Sequence, residues 1–231
     1  MPSTIAFGEI EPVSLREKVV ATLKDAFFSA KLRPGDLIVE RQLAEQMKIG
    51  TPAIREALIT LQEQGFVRRV ANTATYVNKF TLEELKQLYS LRVEFELLAL
   101  QWAKPQVIEA DLRALEQIVE AMMGAAQQKN TREYYHCDLQ FHRLCWKASG
   151  NRFLVSSLER LVAPLFAFVL CASDATVEES NAVEHLNIVK ALRDLQEPEF
   201  SSLIRSTLTT FSLRGTSSML QRDKQDTPVG K

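Results

Sequence analysis

The sequence contains few of the residues that interrupt helices, with 8 glycines and 8 prolines among 231 residues. It also lacks an apolar run close to the roughly 20 residues that a membrane-spanning helix requires. The opening stretch, MPSTIAFGEIEPV, has no charged segment followed by an apolar one, so we expect no secretory signal. The cysteines are odd in number and form no CxxC pair (Cys137, Cys145 and Cys171). Reduced thiols in a cytoplasmic protein that makes no membrane contact are therefore expected.

The chain also has little net charge, −1 in all, which argues against nucleic-acid binding by its surface as a whole. The charge is distributed unevenly, however. Residues 1–80 contain 11 Lys and Arg against 9 Asp and Glu, whereas residues 81–231 contain 17 against 20. This pattern predicts a mildly basic N-terminal part joined to an acidic remainder.

The N-terminal part has the element order of a winged helix-turn-helix. The apolar spacing and turn residues predict a helix over 14–30, a short helix over 39–50, a helix from Thr51 to Gln64 and a β-hairpin over 66–80. Thr51 is the predicted N-cap of the third helix, with Pro52 at its first helical position. In this motif the third helix enters the major groove of DNA and the hairpin lies beside it.

The remainder of the chain has only helical patterns. Helices are predicted over 82–103, 108–128, 131–149, 151–172, 177–195 and 198–222. We therefore expect a mainly α protein, with a winged helix-turn-helix that carries a small β-hairpin wing and then an all-α helical bundle. The expected boundaries are an N-terminal domain over 1–80 with an arm over 1–13, a helical domain over 81–222 and a flexible tail over 223–231.

The stretch DLQFH places an acid and a histidine four residues apart on one helical face. On a helical wheel for 131–149, Tyr134, Asp138 and His142 point inward, whereas His136 points outward. A buried carboxylate and imidazole need a partner, because burial without one is costly. Direct pairing of Asp138 with His142 and coordination of a metal ion both satisfy them.

Arg92 is predicted to lie on the inward face of the helix over 82–103, where it needs a negative partner. Glu96, one turn later, is one such partner. A bound carboxylate is the other, because a guanidinium can hold it with two parallel hydrogen bonds.

Two sets of motifs resemble one known family. The stretch RPGDLIVERQLAEQMKIGTPAIREALITLQEQGFV resembles the DNA-binding domain of GntR-type bacterial transcription regulators. The second half resembles the all-helical effector domain of the FadR branch, called FCD. The motifs that carry the second resemblance are LYSLRVEFE, DLQFHRL, SGN and EHLNIVKAL. The resemblance covers residues 14–213 and implies a homodimer that binds double-stranded DNA at a palindromic operator. It also implies control by a small organic acid held in the helical domain beside a divalent metal.

The resemblance implies DNA contacts by Arg41 and Arg55, which can reach a base edge or a phosphate. Pairing of these arginines with Glu45 or Glu56 on the surface is the alternative. The chain departs from the family at two places: Gly50-Thr51-Pro52 stands where Ser-Arg-Thr is usual, and Thr73-Ala74 stands where the wing usually has Arg-Gly. The expected DNA-binding residues are Arg41, Thr51, Arg55, Arg68 and Arg69.

For the helical domain, the resemblance implies a metal held by Asp138, His142 and His185. A fourth family histidine falls near Thr207, so three of four ligands are present. Zinc, nickel or manganese fits one carboxylate and two imidazoles. The expected effector contacts are Arg92, Tyr134 and Thr207. A pocket without metal, in which Asp138 and His142 pair directly, is the alternative.

Three classes of function remain open at this stage. A transcription regulator that responds to a metabolite accounts for both halves of the chain. A metal-dependent enzyme is disfavoured, because the pattern contains no nucleophile or general base beside the histidines. A dimeric binding module with degraded DNA specificity is the third class, since the wing tip and one arginine depart from the family.

Overall fold

The computed structural model describes residues 14–70, 74–172 and 177–225. The predicted class is confirmed: a winged helix-turn-helix is followed by a helical bundle. We call the elements up to residue 77 the head and those from residue 82 onward the body. The arm over 1–13 and the residues 226–231 lie outside the described residues.

The head begins with three helices, α1 (Leu15–Phe28), α2 (Glu40–Met47) and α3 (Thr51–Glu63). The Ser14 side chain accepts from the backbone N–H of Glu17, whose side chain caps Ser14 in return, so α1 starts where its capping box predicts. The predicted N-cap of α3 is wrong: Gly50 holds that position, and Thr51 is the first helical residue. Gly50 has no side chain to accept from the first turn of α3, which is therefore left without a side-chain cap.

The wing has three strands rather than the predicted two. They are β1 (Leu37–Ile38), β2 (Val67–Val70) and β3 (Ala74–Val77), all antiparallel, in the order β1-β3-β2. Two residues are too few for β1 to show a periodic pattern, so it can be recognised only from its pairing with β3. Thr73 at the wing tip lies outside the described residues.

Eight described helices form the body. They are α4 (Leu82–Ala103), α5 (Glu109–Gln127), α6 (Thr131–Ala148), α7 (Arg152–Leu161), α8 (Ala163–Ala172), α9 (Glu179–Val183), α10 (Leu186–Asp194) and α11 (Glu199–Gln225). Two of the predicted helices are thus each divided in two, and α11 extends three residues beyond the predicted end at 222.

Each division has a local cause. Pro164, the second residue of α8, has no N–H to donate to the carbonyl of Arg160, so the hydrogen-bond ladder of α7 does not continue into α8. Between α9 and α10, the ring of His185 contacts the carbonyl oxygens of Asn181 and Ala182, at 3.1 and 3.2 Å. The turn before His185 therefore closes on its own side chain instead of continuing as one helix.

The head and the body share one hydrophobic core. Leu23 and Phe27 of α1 belong to the same buried cluster as Leu158 of α7 and Phe166 of α8. Residues 152–170 are long and apolar enough to cross a membrane by length and composition, yet 56% of that stretch is buried inside the protein. Such burial is typical of a core segment. This segment is where the head meets the body.

Candidate metal and effector site and nucleic-acid interface

Helix α6 presents the DLQFH motif to the interior of the body. Tyr134 and His142 are buried, and the carboxylate of Asp138 lies at the edge with 13% of its side chain exposed. His136 is exposed on the opposite face, as the helical wheel predicts. The motif therefore offers one acid and one histidine to the body.

His185 completes a cluster of three donors. It approaches from the turn between α9 and α10, and its Nε2 lies 3.0 Å from Oδ1 of Asp138. The Nε2 of His142 lies 3.4 Å from the same oxygen. One ligand atom from each of the three residues can be chosen so that all lie within 4.8 Å of one another.

His185 faces hydrogen-bond acceptors on both ring nitrogens, whereas Nε2 of His142 faces both an acceptor and the donor Arg92. For His185, Nδ1 faces the backbone carbonyls of Asn181 and Ala182, and Nε2 faces Asp138. For His142, Nδ1 lies 3.1 Å from Oε1 of Glu96, and Nε2 faces Asp138. A neutral imidazole has only one N–H, so the ring of His185 would leave one nitrogen lone pair against an oxygen, whereas the Nε2 lone pair of His142 can accept a hydrogen bond from Arg92 Nη2 at 3.0 Å.

This donor set fits a bound cation. A metal ion shared by both Nε2 atoms and Asp138 would satisfy these contacts. In proteins, a metal-binding histidine usually donates its other N–H to a carboxylate or a backbone carbonyl. His142 and His185 have one partner of each kind. The carboxylate and two imidazoles are ligands that zinc, nickel and manganese accept.

Glu96 of α4 orders the side chains behind the site. It is buried and accepts hydrogen bonds from Arg92 Nε at 3.1 Å and from Trp146 Nε1 at 2.8 Å, besides its contact with His142. Burial alone would raise the pKa of Glu96, but the charges of Arg92 and His142 outweigh burial and lower the pKa to about 2. Glu96 is therefore an anion that fixes the ring of His142.

Arg92 has the structural partner that the sequence offered as one alternative. In addition to Glu96, its Nη2 lies 3.0 Å from Nε2 of His142, and its guanidinium lies over the ring of Phe166 at 4.8 Å. Its contact with an effector stays a prediction. The guanidinium nevertheless directly contacts one candidate metal ligand, His142, at a place where a bound carboxylate would need a positive partner.

Helix α11 covers the cluster from another side. The ring of Phe211 stacks on His185, with centroids 4.4 Å apart, and Thr207 is buried one turn earlier on the same helix. Burial, and then the charge of Asp138, raise the pKa of Tyr134 well above its usual range, so the phenol stays protonated. Thr207 and Tyr134 are placed in the interior, and their contact with an effector stays a prediction.

On the head, Arg55 and Arg69 converge on one carboxylate. Arg55 of α3 donates through Nε and Nη2 to Oε2 of Glu40, at 3.1 and 3.0 Å. Arg69 of β2 donates through Nη2 to Oε1 of the same residue, at 3.4 Å. The surface pairing predicted between Arg55 and Glu56 is thus replaced by pairing with Glu40.

The other predicted DNA contacts also belong to the head. Arg41 pairs with Glu45 at 2.9 Å, as the surface alternative predicts, while 85% of its side chain stays exposed. Arg68 lies over the ring of Tyr76 at 5.0 Å, and Thr51 is exposed at the start of α3. An open groove of about 920 Å³ lies beside the wing and is lined by Glu40, Arg41, Arg69 and Tyr76 among others.

Sequence reasoning missed three residues that organise these two regions. Trp146 lies four residues after His142 on α6, so its position on the inward face could have been found from spacing. Glu40 precedes Arg55 by 15 residues, and Phe211 follows His185 by 26. Neither distance corresponds to a local helical pattern, so only the fold brings these pairs together.

The chain matches two family models in succession. Residues 15–77 match the model described as bacterial regulatory proteins, gntR family. Residues 87–210 match the FCD domain, and this second match alone covers more than half of the chain.

Curated relatives and solved structures are similar to the chain over most of its length. The HTH-type transcriptional regulator McbR of Escherichia coli is 26% identical over 161 residues, which are 70% of this chain and 72% of McbR. An uncharacterized HTH-type regulator of Bacillus subtilis, YdhC, is 27% identical over 140 residues, 60% of this chain and 62% of that protein. The structure of E. coli McbR/YncC superposes with a TM-score of 0.77 at 20% identity, covering 91% of this chain and 99% of that one. A GntR-type regulator from Rhodococcus gives 0.72 at 17% identity, covering 90% and 99%.

Proposed function

Because the chain belongs to the GntR family of bacterial regulatory proteins and has an FCD domain, we propose that a ligand of the helical body controls this DNA-binding transcription regulator. It binds a palindromic operator as a homodimer, and a small carboxylate in the body modulates that binding beside a divalent metal. The observation that carries the metal part of the proposal is the convergence of His142 Nε2 and His185 Nε2 on Oδ1 of Asp138, at 3.4 and 3.0 Å, while Nδ1 of each ring is held by Glu96 or by backbone carbonyls.

Asp138, His142 and His185 are the residues that would hold the metal. Three protein ligands leave coordination positions for water or for a carboxylate oxygen, which suits a site that senses a ligand. The ion would supply positive charge, and Arg92 would supply the hydrogen-bond donors for the same carboxylate. Tyr134 and Thr207 complete the proposed effector contacts.

Arg92 and a metal ion compete for one lone pair. The Nε2 of His142 has a single lone pair in the tautomer that donates from Nδ1 to Glu96, and Arg92 Nη2 lies 3.0 Å from it. An ion held by this nitrogen takes the lone pair from Arg92, whose N–H then becomes available to an effector carboxylate. Metal binding would thus free Arg92 to hold the effector, which supports a pocket in which metal and effector bind together.

The domain boundaries that we propose are 1–80 for the DNA-binding domain, 81–222 for the effector domain and 223–231 for a tail, whose first three residues continue α11 as far as Gln225. We place the protein in the cytoplasm, where its relatives among bacterial transcription regulators act. Repression is the direction of control that we favour, because RspR of E. coli, 22% identical over 184 residues, is a transcriptional repressor. Binding rather than catalysis is the proposed role of the metal.

The experiment that tests the proposal starts from the full chain and a random pool of duplex DNA. Repeated selection should enrich a palindromic sequence, and Arg55→Ala should weaken binding to it by about tenfold or more, the scale of one bidentate base contact. Arg113→Ala, which removes a positive charge from an exposed position of α5, is the matched control. A pool in which no sequence is enriched would contradict specific DNA binding and favour the degraded binding module.

The second step measures operator affinity with a panel of small carboxylates, with zinc, nickel or manganese present and again with chelator. An effector should change operator affinity by about fivefold or more, the usual scale of coupling between two sites. The change should require metal and should vanish in Asp138→Ala. A change of equal size in chelator would support the metal-free pocket instead.

A further inference from the structure

Glu40 occupies a central position in the head. It is the first residue of α2, and 22% of its side chain is exposed. A negatively charged side chain in the first turn of a helix interacts favourably with the helix dipole. The carboxylate of Glu40 lies between α2 and the side chains of Arg55 and Arg69.

The carboxylate joins three elements. It accepts two hydrogen bonds from Arg55 on α3 and one from Arg69 on β2, so that α2, α3 and the wing meet at one side chain. The pair formed by Arg41 and Glu45 differs, because it lies within α2 and is far more exposed. An exposed pair of that kind contributes little to stability or geometry.

The contact with Arg55 leaves donors for DNA. A guanidinium has five N–H donors, and Glu40 engages Nε and one N–H of Nη2 in Arg55. Among the described contacts, the other three donors remain for a base edge or a phosphate. Because Glu40 holds one side of the planar guanidinium, the Arg55 side chain is restricted in rotation. A side chain that is restricted before binding loses less conformational entropy when it contacts DNA.

The geometry points to Glu40 as a specificity-determining residue that positions Arg55 and Arg69 for DNA. This inference rests on the proposed DNA-binding function. Glu40 also places a negative charge at the DNA surface, which weakens attraction to any phosphate backbone regardless of sequence. Both effects increase specificity. Positioning of the arginines strengthens binding to the operator, and the negative charge weakens binding to other DNA.

The test measures the dissociation constants of full-length protein for the selected operator and for a scrambled duplex of equal length, at matched salt. Glu40→Gln should weaken operator binding by about tenfold, as expected when a charged hydrogen-bond network is lost. Binding to the scrambled duplex should stay unchanged or become tighter. Glu63→Gln, which removes the same charge from an exposed position near the end of α3, is the matched control and should leave the ratio of the two constants unchanged.

A double-mutant cycle with Arg55→Ala separates positioning from general stabilisation. If Glu40 acts through Arg55, then Glu40→Gln should cost much less operator affinity in the Arg55→Ala background than in the wild type. Equal losses in both backgrounds, or an unchanged ratio in Glu40→Gln, would overturn the inference while leaving operator binding by the wild type intact. Failure of the wild type to select any operator would overturn the proposed function and this inference with it.

Discussion

At the scale of single residues, the candidate site contains a local part and a distant part. Asp138 and His142 stand four residues apart on α6, so spacing alone predicts that they share a face. His185 could be assigned only through the resemblance, because no local pattern links it to α6. The contact of Glu96 with His142 joins residues 46 positions apart, and the sequence contains no signal for it.

Glu96 gives the residue-scale prediction. Glu96→Ala should lower the free energy of unfolding by about 3–5 kcal/mol, because it leaves the buried guanidinium of Arg92 without its anion. Urea unfolding followed by circular dichroism measures the change. Glu45→Ala, which breaks an exposed arginine pair, should cost about 1 kcal/mol or less. Equal effects of the two substitutions would show that the network around Glu96 is not a buried one.

At the scale of elements, helices with clear caps and apolar stripes could be predicted, and short or interrupted elements could not. The capping box at Ser14 locates the start of α1 correctly. The division near Pro164 had a signal in the sequence, since proline cannot donate to the preceding turn. The division before His185 had none, because it depends on a ring nitrogen that meets two backbone carbonyls.

Gly65, between α3 and β2, gives the element-scale prediction. Its φ is +77°, and an added Cβ would lie 2.8 Å from the carbonyl oxygen of Arg160 in the body. Gly65→Ala should therefore destabilise the protein by more than about 1 kcal/mol, through backbone strain and through this clash. Gly124→Ala, in the last turn of α5 where an added Cβ would meet nothing within 4 Å, should instead stabilise by about 0.5–1 kcal/mol. A neutral Gly65→Ala would mean that α3 does not approach α7 as closely as the structure has it.

At the scale of the whole molecule, the candidate site around His142 and the DNA-binding head are connected through α8. Phe166 lies 5.4 Å from the ring of His142, between ring centroids, and belongs to the same buried cluster as Leu23 and Phe27 of α1. A rearrangement around His142 therefore has a packed route to the head. The sequence predicted both halves of the chain, but it contained no information on how they pack together.

The shared cluster predicts that head and body unfold together. Trp102 and Trp146 both lie in the body, so tryptophan fluorescence reports the body alone, whereas far-ultraviolet circular dichroism reports both parts. The two signals should give the same midpoint in urea, as in a two-state transition. A separate, earlier circular dichroism transition would contradict a head that is docked on α7 and α8.

The central claim is that Asp138, His142 and His185 hold a divalent metal ion, and calorimetric titration of the chelator-treated full chain tests it most directly. Zinc, nickel or manganese should bind at about one ion per chain, the stoichiometry of a single three-ligand site. His185→Ala should weaken binding by at least about tenfold. His136→Ala, on the exposed face of the same helix, should leave binding unchanged. Absence of binding by all three metals, or equal affinity of wild type and His185→Ala, would contradict the claim.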